Sequence, residues 1–200
     1  MARRNETNAE DALAREAREA LQRLTDENAL LRAALADARA QLGEAEEQAG
    51  RDPLTALADA RHFRAELERV VSQAARHQIP AALISVDVDD LKAVNEGHGR
   101  IAGDAALRHV ARLLKSLIRS SDVAARNGGG FALLLDHLDP DSAIETGERI
   151  AHFIASQPLD LGSARVALEA TVGVASILPG DSAEDVLHRA ERNLERIKEF

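Results

Sequence analysis

The sequence predicts an α+β domain, one mostly antiparallel sheet flanked by helices, preceded by a long coiled-coil helix. Three observations lead there. Residues 5–49 hold no Pro, no aromatic and no β-branched residue besides Thr7 and Thr25, and their apolar positions step by heptads. From Gly50 onward the pattern changes to helical and strand-like segments in the order helix, strand, helix, hairpin, helix, strand, helix. A glycine-rich turn, Asn127-Gly128-Gly129-Gly130, separates two apolar runs, as a tight antiparallel hairpin requires.

Residues 1–50 form the first predicted unit. Ala, Glu, Arg and Leu dominate it, all strong helix formers. With Leu21 at an a position, the a and d series runs Ala14, Ala17, Leu21, Leu24, Asn28, Leu31, Leu35, Ala38, Leu42, Ala45, Ala49. Thirty-five helical residues at ~1.5 Å rise would span roughly 50 Å. A lone Asn at an a position lowers stability but is best satisfied by its twin across a parallel, in-register pair. Asn28 therefore favours a parallel homodimeric coiled coil; a helix folded back on its own domain, or paired with another protein, is the other reading of the same seam.

Residues 51–200 form the second unit. Ala56 to Arg76 reads as an amphipathic helix through Leu57, Phe63, Leu67, Val70 and Val71. Pro80 introduces Ala81–Val88, an apolar run read as a buried strand. Ala105–Ile118 is the next amphipathic helix, and Asp122–Arg126 and Gly130–Asp136 are the arms of the hairpin. Asp141–Ser156 is a third helix and Val166–Ile177 a strand region. Ser182–Phe200 is a final helix, opened by a Ser182/Asp185 pair resembling a capping box.

Composition narrows the function classes. Lys and Arg total 25 against 34 Asp and Glu, a net charge of −9, which disfavours non-specific binding to nucleic acid or to an anionic membrane. With no cysteine there is no disulfide, no thiolate catalysis and no Cys-ligated zinc or iron–sulfur site. No run of apolar residues is long enough to span a bilayer, and the two early arginines precede no apolar signal core, so a soluble cytoplasmic protein is expected. The seven histidines show no pair at metal-ligand spacing.

Two segments carry chemistry. In Asp87–Asp104 (DVDDLKAVNEGHGRIAGD), Asp87 and Asp89 stand two residues apart at the end of a buried strand. Carboxylates so placed either hold a hard divalent cation or are a solvated strand end. The Asn127–Gly130 turn is the second, because glycine lets backbone approach a ligand closely.

These residues, taken in order, resemble the GGDEF domains of diguanylate cyclases. The resemblance runs from DPLTAL (Asp52–Leu57), similar to the family's DxLTGL, through the Asp87–Asp104 block and RNGGGF (Arg126–Phe131), to RAERNLERIK in the last helix. The family joins two GTP molecules into cyclic di-GMP, one GTP on each domain of a dimer. By resemblance, Asp87 matches a metal ligand with the Val88 carbonyl beside it, and Asn95 and Asp104 match the pair that reads the guanine edge. Lys92 and Lys198 match positions that approach the phosphates.

The signature hairpin departs from the family. Where the family has two acids before the Phe, this chain has only Gly130, one residue shorter and without either carboxylate. Phosphoryl transfer depends on positioning and on metal neutralisation of developing charge. A domain without catalytic residues and without its Mg²⁺ site is therefore expected. Arg100 in place of a His, Glu96 for an Asp, Leu91 for a Phe, and the absence of a Gly-Arg-Asn after the last helix agree.

A second family site, which binds the product, is marked by R-x-x-D before the signature. Arg119-Ser-Ser-Asp122 holds that register, and Arg149 matches a further product-binding arginine; a second R-x-x-D, Arg23–Asp26, falls inside the predicted coil. Arginine forks match phosphate oxygens and the guanine O6/N7 edge, and a carboxylate accepts from guanine N1 and N2. The plainer reading is that Arg119 serves a helix C-terminus and Asp122 starts a strand. The expectation is a receptor, inactive as a cyclase, that binds cyclic di-GMP through Arg119, Asp122 and Arg149 and dimerises through its coil, signalling to a protein partner. A ligand-free scaffolding dimer and a residual GTP sensor or weak cyclase are the alternatives.

Overall fold

The computed structural model describes residues 21–35, 37–39, 50–162 and 164–199. The chain divides into two compact units between Gln48 and Ala49. In the first, residues 21–35 and 37–39 are helical (α1), and their side chains are exposed throughout. Leu21, Leu24, Leu31 and Leu35 lie open to solvent, as does Leu30 off the seam. Of the heptad positions, Ala14, Ala17, Leu42, Ala45 and Ala49 lie outside the described residues.

The second unit runs α2 (Ala60–His77), β1 (Ala81–Val88), α3 (Leu91–His98), α4 (Arg100–Leu117), β2 (Val123–Asn127), β3 (Gly130–Asp136), α5 (Pro140–Ser156), β4 (Leu159–Asp160), β5 (Arg165–Val166), β6 (Ala170–Ile177) and α6 (Ala183–Lys198). The main sheet has strand order β2-β3-β1-β6 with every neighbour antiparallel. Strand periodicity divides the core. Ile84, Val86 and Val88 of β1 join Phe131, Leu133 and Leu135 of β3 on the face covered by α4 and α5. Leu83 and Leu134 point the other way, to the apolar sides of α2 and α6. Both faces of β1 are thus buried, which is why it reads as a continuous apolar run.

Three departures from the sequence expectations have local causes. The first helix starts at Ala60, not Ala56, because Ala56 adopts a left-handed φ of 58° and Asp59 caps the helix by accepting from His62 N. Residues 91–98 form α3, a helix the apolar pattern did not announce; it ends at Gly99, whose φ of 82° lets α4 begin at Arg100 rather than Ala105. The 166–177 region divides into the short β5 and the longer β6. Elsewhere boundaries shift little: α5 gains Pro140, β2 spans Val123–Asn127, and α6 ends at Lys198 with Phe200 outside the described residues.

The helix ends are held by carboxylates. Ser182 and Asp185 form a reciprocal capping box on α6. The Ser182 hydroxyl and N–H hold the Asp185 carboxyl below the usual carboxylate range. Ser142 does the same to Asp139 at the start of α5. Partial burial pushes Asp181 up, but the Arg189 guanidinium and the Leu178 N–H more than offset it, so its carboxyl is also held low.

Candidate functional site

The strand end at Asp87 is built by three packing decisions. The β1–β3 register sets Val86 opposite Phe131, so the turn at Gly128–Gly129 hangs beside Asp87. Gly130 is required there, since a Cβ would fall 2.3 Å from the Val86 carbonyl oxygen. On the far side of β1, α6 lies directly on β6: a Cβ at Gly173 would meet the Ala190 carbonyl at 2.4 Å and the Leu194 nitrogen at 2.6 Å. Arg189 and Asn193 donate to the carbonyls of Ser176 and Val174, both at 2.7 Å, and fix α6 along the strand. That placement delivers Lys198, at the end of α6, onto Asp87.

The Lys198 ammonium contacts Asp87 Oδ2 and lies 4.0 Å from Asp89 Oδ1. Asp89 accepts from the Thr171 hydroxyl through both oxygens at 2.9 Å. Among the described residues no group of three His, Cys, Asp or Glu is placed to hold a metal ion. A divalent cation takes six or more oxygens. Here one carboxylate carries an ammonium, the other a hydroxyl, and the glycines of the facing turn supply no acid.

The other residues singled out at this end fall in two places. Asn95, on α3, lies over Gly103, where a Cβ would come within 2.1 Å of its Oδ1; Asp104, the next residue of α4, is exposed. Lys92 pairs with Glu96 at 3.9 Å along α3 and stays in solvent.

Arg119, Asp122 and Arg149 are brought together, although 30 residues of sequence and a hairpin separate the first from the last. They line one cleft of about 80 Å³ with Thr146 and Asp136 among its walls. The Arg119–Asp122 segment is a turn closed by Asp122 Oδ2, which accepts from Arg119 N at 2.8 Å; Oδ1 also accepts from Asp136 N at 3.4 Å. So Asp122 does serve the backbone, yet a carboxylate can accept about four hydrogen bonds, leaving capacity for a ligand. Arg149 donates to Thr146 Oγ1 at 3.2 Å. Among the described residues Arg119 has no ion-pair partner.

One structural pair escaped the sequence reading. Asp52 accepts from Thr55 N and Oγ1 at 2.8 and 2.6 Å and lies 3.5 Å from the Arg126 guanidinium, tying residues 52–57 to the hairpin. Both residues sat in quoted motifs, but nothing in their spacing announced the pair.

The sequence profile described as "Diguanylate cyclase, GGDEF domain" matches residues 49–200. The chain belongs to the GGDEF domain family. Among relatives, it is 34% identical over 131 residues to the bifunctional diguanylate cyclase/cyclic di-GMP phosphodiesterase MucR of Pseudomonas aeruginosa, covering 65% of this chain and 19% of MucR. It is 29% identical over 164 residues to the response regulator PleD of Caulobacter vibrioides, covering 80% and 36%. The chain thus spans about a fifth to a third of these relatives. Among solved structures, the coiled coil and GGDEF domain of DgcB from Caulobacter crescentus, in complex with c-di-GMP, superposes with a TM-score of 0.71 at 29% identity, covering 84% of this chain and 94% of that one. Diguanylate cyclase SiaD of P. aeruginosa, solved with its activator SiaC, gives 0.72 at 27%, covering 96% and 78%. No helix among the described residues is long and apolar enough to cross a membrane.

Proposed function

We propose that this GGDEF-family chain is a cyclic di-GMP receptor that has no cyclase activity and pairs with a second copy through α1. The observation that carries the reading is the gathering of Arg119, Asp122 and Arg149 around one cleft, with no ion-pair partner for Arg119 among the described residues. Two guanidinium forks suit the phosphates and guanine edges of the ligand, and the remaining lone pairs of Asp122 suit guanine N–H groups. The similarity to a DgcB structure containing c-di-GMP supports the ligand class.

Loss of cyclase activity rests on the strand end. The condensation needs a cation to neutralise developing charge, and Asp87, Asp89 and Gly130 do not form a fitting donor set. Pairing rests on α1. Its described seam leucines are exposed, an apolar stripe that a second helix would bury. Asn28 on that seam favours a second, parallel copy.

The test is isothermal titration of the full chain with cyclic di-GMP, beside Arg119→Ala, with sedimentation equilibrium and a GTP turnover assay on the same preparation. Micromolar or tighter binding that the substitution removes, a dimer, and no product from GTP are expected. Wild-type protein that gives no heat, or that condenses GTP, overturns the reading.

A further inference from the structure

Residues 21–35 of α1 are helical with every side chain exposed, and one heptad of that stretch is unlike its neighbours. With Leu21 at a, Leu24 and Leu31 fall at d, Asn28 and Leu35 at a, Thr25 and Arg32 at e, and Glu27 at g. A groove runs along this side of the helix, lined by Leu24, Thr25, Asn28, Ala29 and Arg32. Polar groups thus interrupt the leucine seam and flank it at the same level.

The helix itself serves its outer side better than this one. Gln22 donates to Asp26 at 3.0 Å on the b and f positions, and the Thr25 hydroxyl returns to the Leu21 carbonyl at 2.7 Å. Glu27 has Arg23 one turn before it, but Arg32 has no acid one turn away in either direction: positions 28, 29, 35 and 36 are Asn, Ala, Leu and Ala. A second copy of the helix supplies the partners. In a parallel, in-register pair the g position of one helix faces the e position five residues further along the other. Glu27 then meets Arg32 of the second copy, the two-fold axis repeats the pair, and Asn28 meets Asn28 between them. An antiparallel pair does the reverse. It sets a against d, leaving the Asn28 amide against a leucine, and sets g against g and e against e, so Glu27 never faces Arg32. The neighbouring g and e combinations, Ala20 with Thr25 and Ala34 with Arg39, hold no opposite charges, so the selection falls on this heptad.

We propose that Glu27 and Arg32 are the specificity-determining residues of the α1 surface: with Asn28 they form a polar lock that accepts a second copy of this chain in parallel and in register and rejects the antiparallel arrangement. The inference rests on the pairing through α1 proposed above and names the residues that choose the partner. It is independent of the cyclic di-GMP reading.

The experiment measures the dimer dissociation constant of the full chain by sedimentation equilibrium at low salt, for the wild type, Glu27→Arg, Arg32→Glu and the double variant. Each single reversal replaces two attractions by two repulsions and should weaken the dimer by roughly tenfold or more. The double variant, and an equimolar mixture of the two single variants, should recover wild-type affinity, because both restore opposite charges at g and e. Orientation is read separately. The chain has no cysteine, so Leu24→Cys introduces a lone thiol at a d position, which faces its own copy only in the parallel, in-register pair. A disulfide-linked dimer should form under mild oxidation. A monomeric wild type overturns the pairing through α1 and this inference with it. A wild-type dimer that neither reversal weakens, that the mixture and the double variant fail to restore, or whose Leu24→Cys variant does not cross-link overturns this inference alone and leaves the pairing standing.

Discussion

The end of β1 and the Arg119–Asp122 turn both concentrate charge in the same domain, and they dispose of it in opposite ways. At the strand end the two carboxylates singled out, Asp87 and Asp89, have internal partners: Lys198 covers Asp87 and Thr171 covers Asp89. At the turn, Arg119 has no ion-pair partner among the described residues, and Asp122 accepts from the backbone N–H groups of Arg119 and Asp136 and from the Ser121 hydroxyl. A charged group satisfied inside the fold gains little from a ligand, because binding must first break the internal contact. An unsatisfied one gains the whole interaction. The contrast is the reason ligand recognition is proposed at the turn rather than at the strand end.

The largest effect expected concerns the closed end. Gly130→Glu restores an acid to the hairpin, but its Cβ would press on the Val86 carbonyl. We expect a loss of about 1–3 kcal/mol in denaturant unfolding, the usual cost of overpacking, with no gain of GTP turnover. A stable, active variant would show that the strand end is open after all. Next, Arg149→Ala removes one fork from the small cleft and should weaken cyclic di-GMP by roughly ten- to a hundredfold in calorimetry, leaving the melting temperature nearly unchanged. Unaltered affinity would break the assignment of that cleft.

Lys198→Met tests whether the closure is energetic or only geometric. Both partners are about a third or more exposed, so water screens the pair, and the change in stability should stay within about 1 kcal/mol. A larger loss would mean that the lysine anchors α6 to β1. The smallest effect is a pH dependence lying outside both regions. The carboxyls of Asp139, Asp181 and Asp185 are held below the ordinary aspartate value of about 3.9 in the folded chain. Their contribution to stability is present above that value and is lost as pH falls through their lowered folded-state values. Unfolding curves from pH 5 to pH 2 should show this decline, and Asp181→Asn should flatten part of it.

The sheet was legible where burial writes a simple pattern. Ala81–Val88 is apolar because both its faces are covered, and the Gly128–Gly129 turn fixes the register of its neighbour. The helix α3 was not legible. It has eight residues, buries only Val94, and begins at Asp90 in a left-handed conformation rather than with a side-chain cap. The start of α2 was misplaced because the apolar Leu57 belongs to the turn organised by Asp52 and Thr55, not to the helix.

By itself, the sequence determined the family, the heptad seam with its Asn28, the missing acids of the hairpin, and the register of Arg119, Asp122 and Arg149. Those are properties of residue identity and spacing, carried along the chain. Tertiary structure alone decided that Lys198 covers Asp87, that no side chain fits at position 130, and that Arg119, Asp122 and Arg149 line one cleft. Each of those depends on which distant segments the sheet and its helices bring within a few ångströms, and no local pattern encodes that distance.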